Sequence, residues 1–138
     1  MIEITGKPLE IQPIIDHVKR KHHGALVSFT GTVRDNAEGK RVLYLEYETY
    51  QEMARKKLEE ICLDIHNRWH GDVDIVHRTG RLEIGDIAVI IVVGAAHRSE
   101  AFTACQYAID RIKEIVPIWK KEFYEDDSSW IGHLPHNF

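Results

Sequence analysis

Seven successive residues, Ile87 to Val93 (IAVIIVV), carry no polar side chain. A short apolar run rich in β-branched residues reads as a buried strand, and the rest of the chain must be arranged to cover it. Past Gly94 the sequence changes character, with His97 and Arg98 side by side and Ser99 where a helix N-cap would stand. In the helix expected next, Phe102, Cys105, Ile109, Ile112 and Val116 recur at three- and four-residue steps and predict one buried face, until Pro117 stops it. Lys113 is one residue, about a hundred degrees, off that face. Its stem is expected to lie along the packed surface, with the amine reaching a cleft. Trp119, Lys120 and Lys121 follow just past the proline. At the other end of the helix, two cationic side chains join unpaired backbone N–H groups, a setting that favours an anion.

The 138 residues are expected to form one domain, spanning 1–138, with a real core. A formal charge of -4 argues against general nucleic-acid binding, so a basic site must be local. The opening MIEITGKPLEI has no signal-peptide-like apolar run, and no segment approaches a membrane span, so a cytoplasmic protein is expected. Cys62 and Cys105 both fall on apolar helical faces, where a thiol packs as a small hydrophobe rather than acting as a nucleophile.

Taken in order, Ile2 to Thr5 predicts a first strand, and Ile11, Ile14, Ile15 and Val18 a helix running to about Lys21. Ala25 to Val33 (ALVSFTGTV) predicts a strand in which Gly31 marks a bulge or a close backbone approach, with Arg34 at its end. After the polar turn 35–40, Val42 to Glu48 reads as the return strand of a long hairpin. Thr49 and Glu52 have capping-box spacing before a second helix, whose buried face is Leu58, Ile61, Cys62, Ile65 and Trp69. Val73 to His77 is another strand. The interleaving predicts an α+β fold with a mostly antiparallel sheet and three main helices. In the tail, Trp130, Ile131, Leu134 and Phe138 are expected to pack, across a subunit interface if not within the chain.

Nine histidines invite a metal reading. His66 and His70 have i, i+4 spacing, but Asn67 stands where a zinc protease places its glutamate and no third ligand is signalled, so both read as helix-end surface residues. His22 and His23 read as solvated. No metal site is expected. A G-x-S-x-G elbow and both Gly-rich phosphate loops are absent from the sequence, which disfavours nucleotide hydrolysis. What remains is a set of cations at element ends, namely Arg34, His97, Arg98, Lys113, Lys120 and Lys121. A solvated basic face would account for them as well as an anion site does. Against the bland reading, Arg34 and the His97-Arg98 pair both end strands, where sites are commonly assembled. A desolvated lysine crowded by cations also loses proton affinity and can act as a base or nucleophile near neutral pH. Residue pattern therefore points to an anion site with a reactive lysine.

Five blocks lie at these same positions: FTGTVRD (29–35), the helix opening around Glu52 and Met53, VHRTGRLEIGD (76–86), AAHRSEAF (95–102) and IKEIVPIWKKE (112–122). In that order they resemble the large, catalytic subunit of molybdopterin synthase. The resemblance implies an α/β hammerhead fold and a homodimer, each subunit binding a small ubiquitin-like sulfur carrier whose Gly-Gly tail ends in a thiocarboxylate, a heterotetramer in all. It further implies transfer of two sulfurs to cyclic pyranopterin monophosphate, a pterin substrate, making the dithiolene of molybdopterin without a cofactor. On that resemblance Lys113 is the central catalytic group, as base or transient acyl acceptor, and Lys120 the second essential lysine, positioning substrate and stabilising charge. Arg34, His97 and Arg98 match the substrate-binding set, the His-Arg pair reaching the pocket across the dimer interface. Glu122 matches an acidic residue flanking the lysine motif.

Two departures from the family pattern stand out. Ile118 replaces a frequent aromatic residue, a change expected to affect packing more than chemistry. The tail after Lys121 has no Lys or Arg, leaving His133 or His136 as candidate substitutes for basic residues found there in relatives. The competing expectation is a non-enzymatic dimeric module that binds an anionic metabolite or an acidic partner tail through the same cations.

Overall fold

The computed structural model describes residues 1–126 and 128–133. In chain order the elements are β1 (Ile2–Thr5), α1 (Ile11–Val18), β2 (Ala25–Thr32), β3 (Asn36–Ala37), β4 (Lys40–Thr49), α2 (Gln51–Trp69), β5 (Asp72–Arg78), β6 (Gly80–Glu83), β7 (Ile87–Ala95), α3 (Arg98–Ile115), β8 (Ile118–Tyr124) and β9 (Ser129–His133). This is an α+β fold with three helices and mostly antiparallel strand pairing.

The apolar run becomes β7, and its position explains its composition. In the four-stranded sheet, ordered β1-β5-β7-β2, β7 is interior and antiparallel to both neighbours, while β1 pairs with β5 in parallel. Helices cover both faces of the strand. Val89, Ile91 and Val93 join the main core with Leu58, Ile61 and Ile65 of α2 and Ala104, Ala108 and Ile112 of α3. Ile90 and Val92 face the other way, into a smaller core with Ile14 and Val18 of α1. A strand covered on both sides has no solvent face on which to place polar residues. Gly31 is where the β2–β7 register shifts, as expected of a bulge.

The second sheet has the order β3-β4-β8-β9, with β6 paired to β4. Here the expected long hairpin is overturned. β2 and β4 belong to different sheets, because β2 hydrogen-bonds along β7 and β4 is taken up by β8 and β6. The segment after Pro117, given no secondary structure by pattern, is the strand β8, and β6 and β9 were equally silent.

Helix ends also differ from expectation. α1 stops at Val18. Tyr50, not Thr49, is the N-cap of α2, and the Thr49 hydroxyl donates instead to the Pro117 carbonyl at 3.0 Å, tying the sheet's entry to its exit. His97, not Ser99, is the N-cap of α3, without a side-chain cap bond. Phe102 is not on the buried face. It is 62 % exposed, because α3 turns Ala101, Ala104 and Cys105 onto the sheet. Ile118 is fully buried in the main core, so the departure from family pattern there falls on packing.

Candidate active site

The cleft follows from the alternation of β8. Ile118, Lys120, Glu122 and Tyr124 point inward, while Trp119 is exposed and Lys121 and Phe123 are half-covered. Two charged residues are thereby forced into the protein: Lys120 and Glu122 each retain only 4 % exposure. Burying single charges at this depth is unfavourable unless they are paired. They are paired with one another, Lys120 Nζ contacting Glu122 Oε1, and the Tyr124 hydroxyl donates to Glu122 Oε2 at 2.8 Å. On the neighbouring strand Tyr47 lies opposite Lys120 and Leu45 opposite Glu122. Tyr47 and Leu45 line the same cleft together with Arg34, Asn36, Lys120 and Glu122. An adjoining hollow is bounded by Arg34, Glu38, Glu122, Tyr124 and Trp130, with the Lys120 amine 5.9 Å from the Trp130 ring centre.

Electrostatics single out Lys120. Burial, the largest cause, pulls its proton affinity below that of an ordinary lysine, and the nearby charges of Arg34 and Lys113 pull the same way, against the hydrogen bond and charge of Glu122. The lysine crowded by cations, which residue pattern left unassigned, is thus residue 120. Tyr47 and Tyr124 are both pushed up, chiefly by burial, with Glu122's charge adding to it and, for Tyr124, its hydrogen bond as well. Cys62 and Cys105 are pushed up to about 11, burial again being the main cause, which fits packing rather than nucleophilic roles.

Lys113 sits in the last turn of α3, half-buried as its position beside the apolar face required. It closes one end of a groove between α3 and β2 lined by Val27, Phe29, Phe102, Cys105, Ile109 and Asp110. Arg34, from the segment after β2, and Lys113, from α3, are both near enough to Lys120 of β8 for their charges to act on it.

His97 and Arg98 do not join them within one chain. They are exposed, beside Gly24 and Ser99, where β7 ends against the start of β2. Arg34 follows the opposite end of β2. The nine residues of β7 separate the two places by roughly 25–30 Å at ~3.3 Å per residue.

His22 and His23 differ from each other. His22 is exposed, but the His23 side chain is fully enclosed, with Nε2 2.7 Å from Asp72 Oδ2 and Nδ1 accepting from the Arg20 N–H. That acceptor role leaves the ring proton on Nε2, where it donates to Asp72, so the His22, His23 and Asp72 cluster is held by a hydrogen bond at the atom a metal would need. His66 and His70 are exposed at the end of α2, His70 being its left-handed C-cap.

Sequence reasoning missed Tyr47 and Tyr124, and missed the pairing of Glu122. The available signal was the i, i+2 series Ile118, Lys120, Glu122, Tyr124, which marks one strand face but looks like a solvated one. Trp130 and Ile131 lie in β9, with Ile131 66 % exposed, while Leu134, His136 and Phe138 and the side chain of His133 lie outside the described residues.

Comparison with known proteins agrees across sequence and structure. Residues 4–115 match the family model described as MoaE protein. The chain is 53% identical over 130 residues to the molybdopterin synthase catalytic subunit of Halalkalibacterium halodurans, covering 94% of this chain and 83% of that protein. It is 52% identical over 132 residues to the subunit of the same name from Staphylococcus carnosus, covering 95% and 88%. The crystal structure of molybdopterin synthase from Staphylococcus aureus superposes with a TM-score of 0.90 at 47% identity, over 95% of this chain and 96% of that one. A complex of subunits 1 and 2 of molybdopterin-converting factor from Helicobacter pylori shares the fold, with a TM-score of 0.77 at 18% identity over 96% and 89%.

Proposed function

The chain belongs to the MoaE protein family, and from that premise we propose that it is the catalytic subunit of a molybdopterin synthase, a sulfurtransferase of molybdenum cofactor biosynthesis. In this reading it moves sulfur from the thiocarboxylated Gly-Gly tail of a small ubiquitin-like carrier to cyclic pyranopterin monophosphate. The observation that carries the proposal is the convergence of Arg34 and Lys113 on a buried Lys120–Glu122 pair. A phosphorylated pterin needs fixed cations, and Arg34 offers a planar fork for phosphate. Sulfur arrives on the partner's tail, so the enzyme needs no reactive thiol, in keeping with two cysteines of raised pKa.

Lys113, at the mouth of the groove, is the group that meets the carrier tail as base or transient acyl acceptor. Lys120 positions substrate and balances charge as thiocarboxylate sulfur attacks and the cyclic phosphate opens. Carrier release by hydrolysis and a second transfer with loss of water complete the reaction.

His97 and Arg98 enter this scheme through a second copy of the chain. β2 is an edge of its sheet, flanked by the groove and the exposed Phe102. A two-fold axis through the middle of that edge exchanges its ends, and sets His97 and Arg98 of one copy beside Arg34 and Lys113 of the other. An anion-binding module without chemistry would use the same cations.

Single-turnover sulfuration separates the two readings. Purified protein, cyclic pyranopterin monophosphate and a thiocarboxylated carrier are mixed, and molybdopterin formation is followed for wild type, Lys113→Ala and Lys113→Arg. Product from wild type and from neither folded variant is expected, because a guanidinium keeps the charge but does not give up its proton. Full turnover by Lys113→Arg would overturn the lysine's role, and pterin binding without product from wild type would favour the binding module.

A further inference from the structure

The inward face of β8 carries a chain of three polar groups, Lys120 to Glu122 to Tyr124, each two residues from the next and each at most 9 % exposed. Its first link is the ion pair between Lys120 Nζ and Glu122 Oε1, and its second is the 2.8 Å hydrogen bond from the Tyr124 hydroxyl to Glu122 Oε2. The two oxygens of one carboxylate are thus divided between an amine and a phenol. We infer that Tyr124 is a positioning residue, whose hydroxyl holds one oxygen of the Glu122 carboxylate, shares its charge with Lys120 and so limits how tightly that lysine holds its proton. The reading of Lys120 as part of the reacting site is needed only for the functional consequence, since the coupling itself stands on this geometry.

Among the described residues, four neighbours of the pair have a definable influence. From the segment after β2, Arg34 repels the Lys120 proton; from α3, Lys113 does the same; from β4, Tyr47 lies opposite Lys120 as a neutral phenol within reach of the Glu122 charge; from β9, the Trp130 ring lies near the amine. Glu122 is the countercharge that opposes this repulsion. Tyr124 in turn sees Glu38 and Asp126, and the Lys40 amine lies 5.1 Å from its ring centre. A phenol that donates to a carboxylate draws off part of its negative charge, leaving less for the lysine. Removing the hydroxyl therefore tightens the hold of Lys120 on its proton. Removing the carboxylate charge loosens it.

Opposite signs from two neighbouring substitutions make the test. In protein labelled with 13C-lysine, the Lys120 side-chain resonance is assigned from its loss in Lys120→Arg and titrated by NMR in wild type, Tyr124→Phe and Glu122→Gln. Tyr124→Phe keeps the ring and its contact with Lys40, and is expected to raise the Lys120 midpoint by about half a unit to one unit, on the scale by which a charge-assisted hydrogen bond moves a titration. Glu122→Gln, which still offers the phenol an oxygen, is expected to lower it. An unchanged midpoint in folded Tyr124→Phe, or shifts of the same sign in both variants, would overturn the inference. The pH profile of single-turnover sulfuration is read in parallel, and under the proposed function its Tyr124→Phe limb moves with the NMR midpoint. A midpoint that shifts while the profile stays put supports the coupling and removes Lys120 from the rate-determining chemistry.

Discussion

His77 makes the stability of this fold depend on pH in a definite way. It lies on the core-facing side of β5, 1 % exposed, with its ring edge-on to Tyr47 at 5.1 Å. Nδ1–H donates to the Arg78 carbonyl at 2.8 Å, while Nε2 is buried with no partner among the described residues. Protonation would place a charge and a second N–H where nothing accepts them. Burial accordingly lowers the pKa from 6.5 to about 4, despite the opposing bond to the Arg78 carbonyl. The folded-state value is depressed, so the unfolded chain takes up the proton first as pH falls. Stability from this residue is complete above pH 6.5, declines as pH drops toward about 4, and levels off below that. At about 1.36 kcal/mol per unit, the full loss is on the order of 3 kcal/mol. The assay is urea unfolding of wild type and His77→Phe at a series of pH values. Phe keeps a ring against Tyr47 but cannot titrate, and the other titrating groups cancel in the difference. The expected result is a wild-type advantage that shrinks by about 2 kcal/mol or more from pH 6.5 to 4.5. A difference that changes by less than about 0.5 kcal/mol over that interval would refute the reasoning.

Two substitutions test packing at the end of the sheet remote from Lys120 and the proposed subunit contact. A Cβ on Gly94 would lie 2.4 Å from His23 Nδ1 and 2.6 Å from its Cε1, so Gly94→Ala is expected to expel the ring from its bond with Asp72 and cost about 1–3 kcal/mol in thermal unfolding, with His23→Ala restoring part of the loss. Retained stability in Gly94→Ala alone would show that the ring is not held there. Phe102→Glu puts a charge on a residue 62 % exposed beside the β2 groove, and is expected to leave the melting temperature within a few degrees while sedimentation shifts from dimer to monomer and sulfuration falls at least tenfold. An unchanged dimer would place the subunit contact elsewhere.

Much of the fold was legible because its signals are local. The first strand needed only its alternation, and the last turn of α3 needed only the phase of Lys113 against Ile109 and Ile112. Gly31 marked its bulge, and the unbroken run 87–93 declared a strand with no wet face. Pattern also picked out Arg34, Lys113 and Lys120 as cations, and the fold brings the charges of the first two to bear on the third. Phe102 failed because periodicity alone does not show how far round α3 the sheet reaches, and the small residues Ala101 and Ala104 turned out to make the close approach.

The rest was decided by partners far away in sequence. Ala25–Thr32 and Lys40–Thr49 look like two arms of a hairpin, yet each finds a longer ladder elsewhere, with β7 and with β8, and backbone pairing is satisfied wherever the tertiary arrangement supplies the better edge. β8 is the sharpest case. A lysine and a glutamate two residues apart are normally a solvated face, and only the closing of β4 and β8 over the cleft makes that face interior, so that desolvation, the Lys120–Glu122 pair and the Tyr124 hydroxyl create a perturbed lysine. The sequence by itself determined which residues could carry charge and which faces were apolar, since those are properties of side chains and of local period. Which charges would be deprived of water was decided by the tertiary structure alone, because desolvation depends on everything that packs around a group and not on its neighbours along the chain.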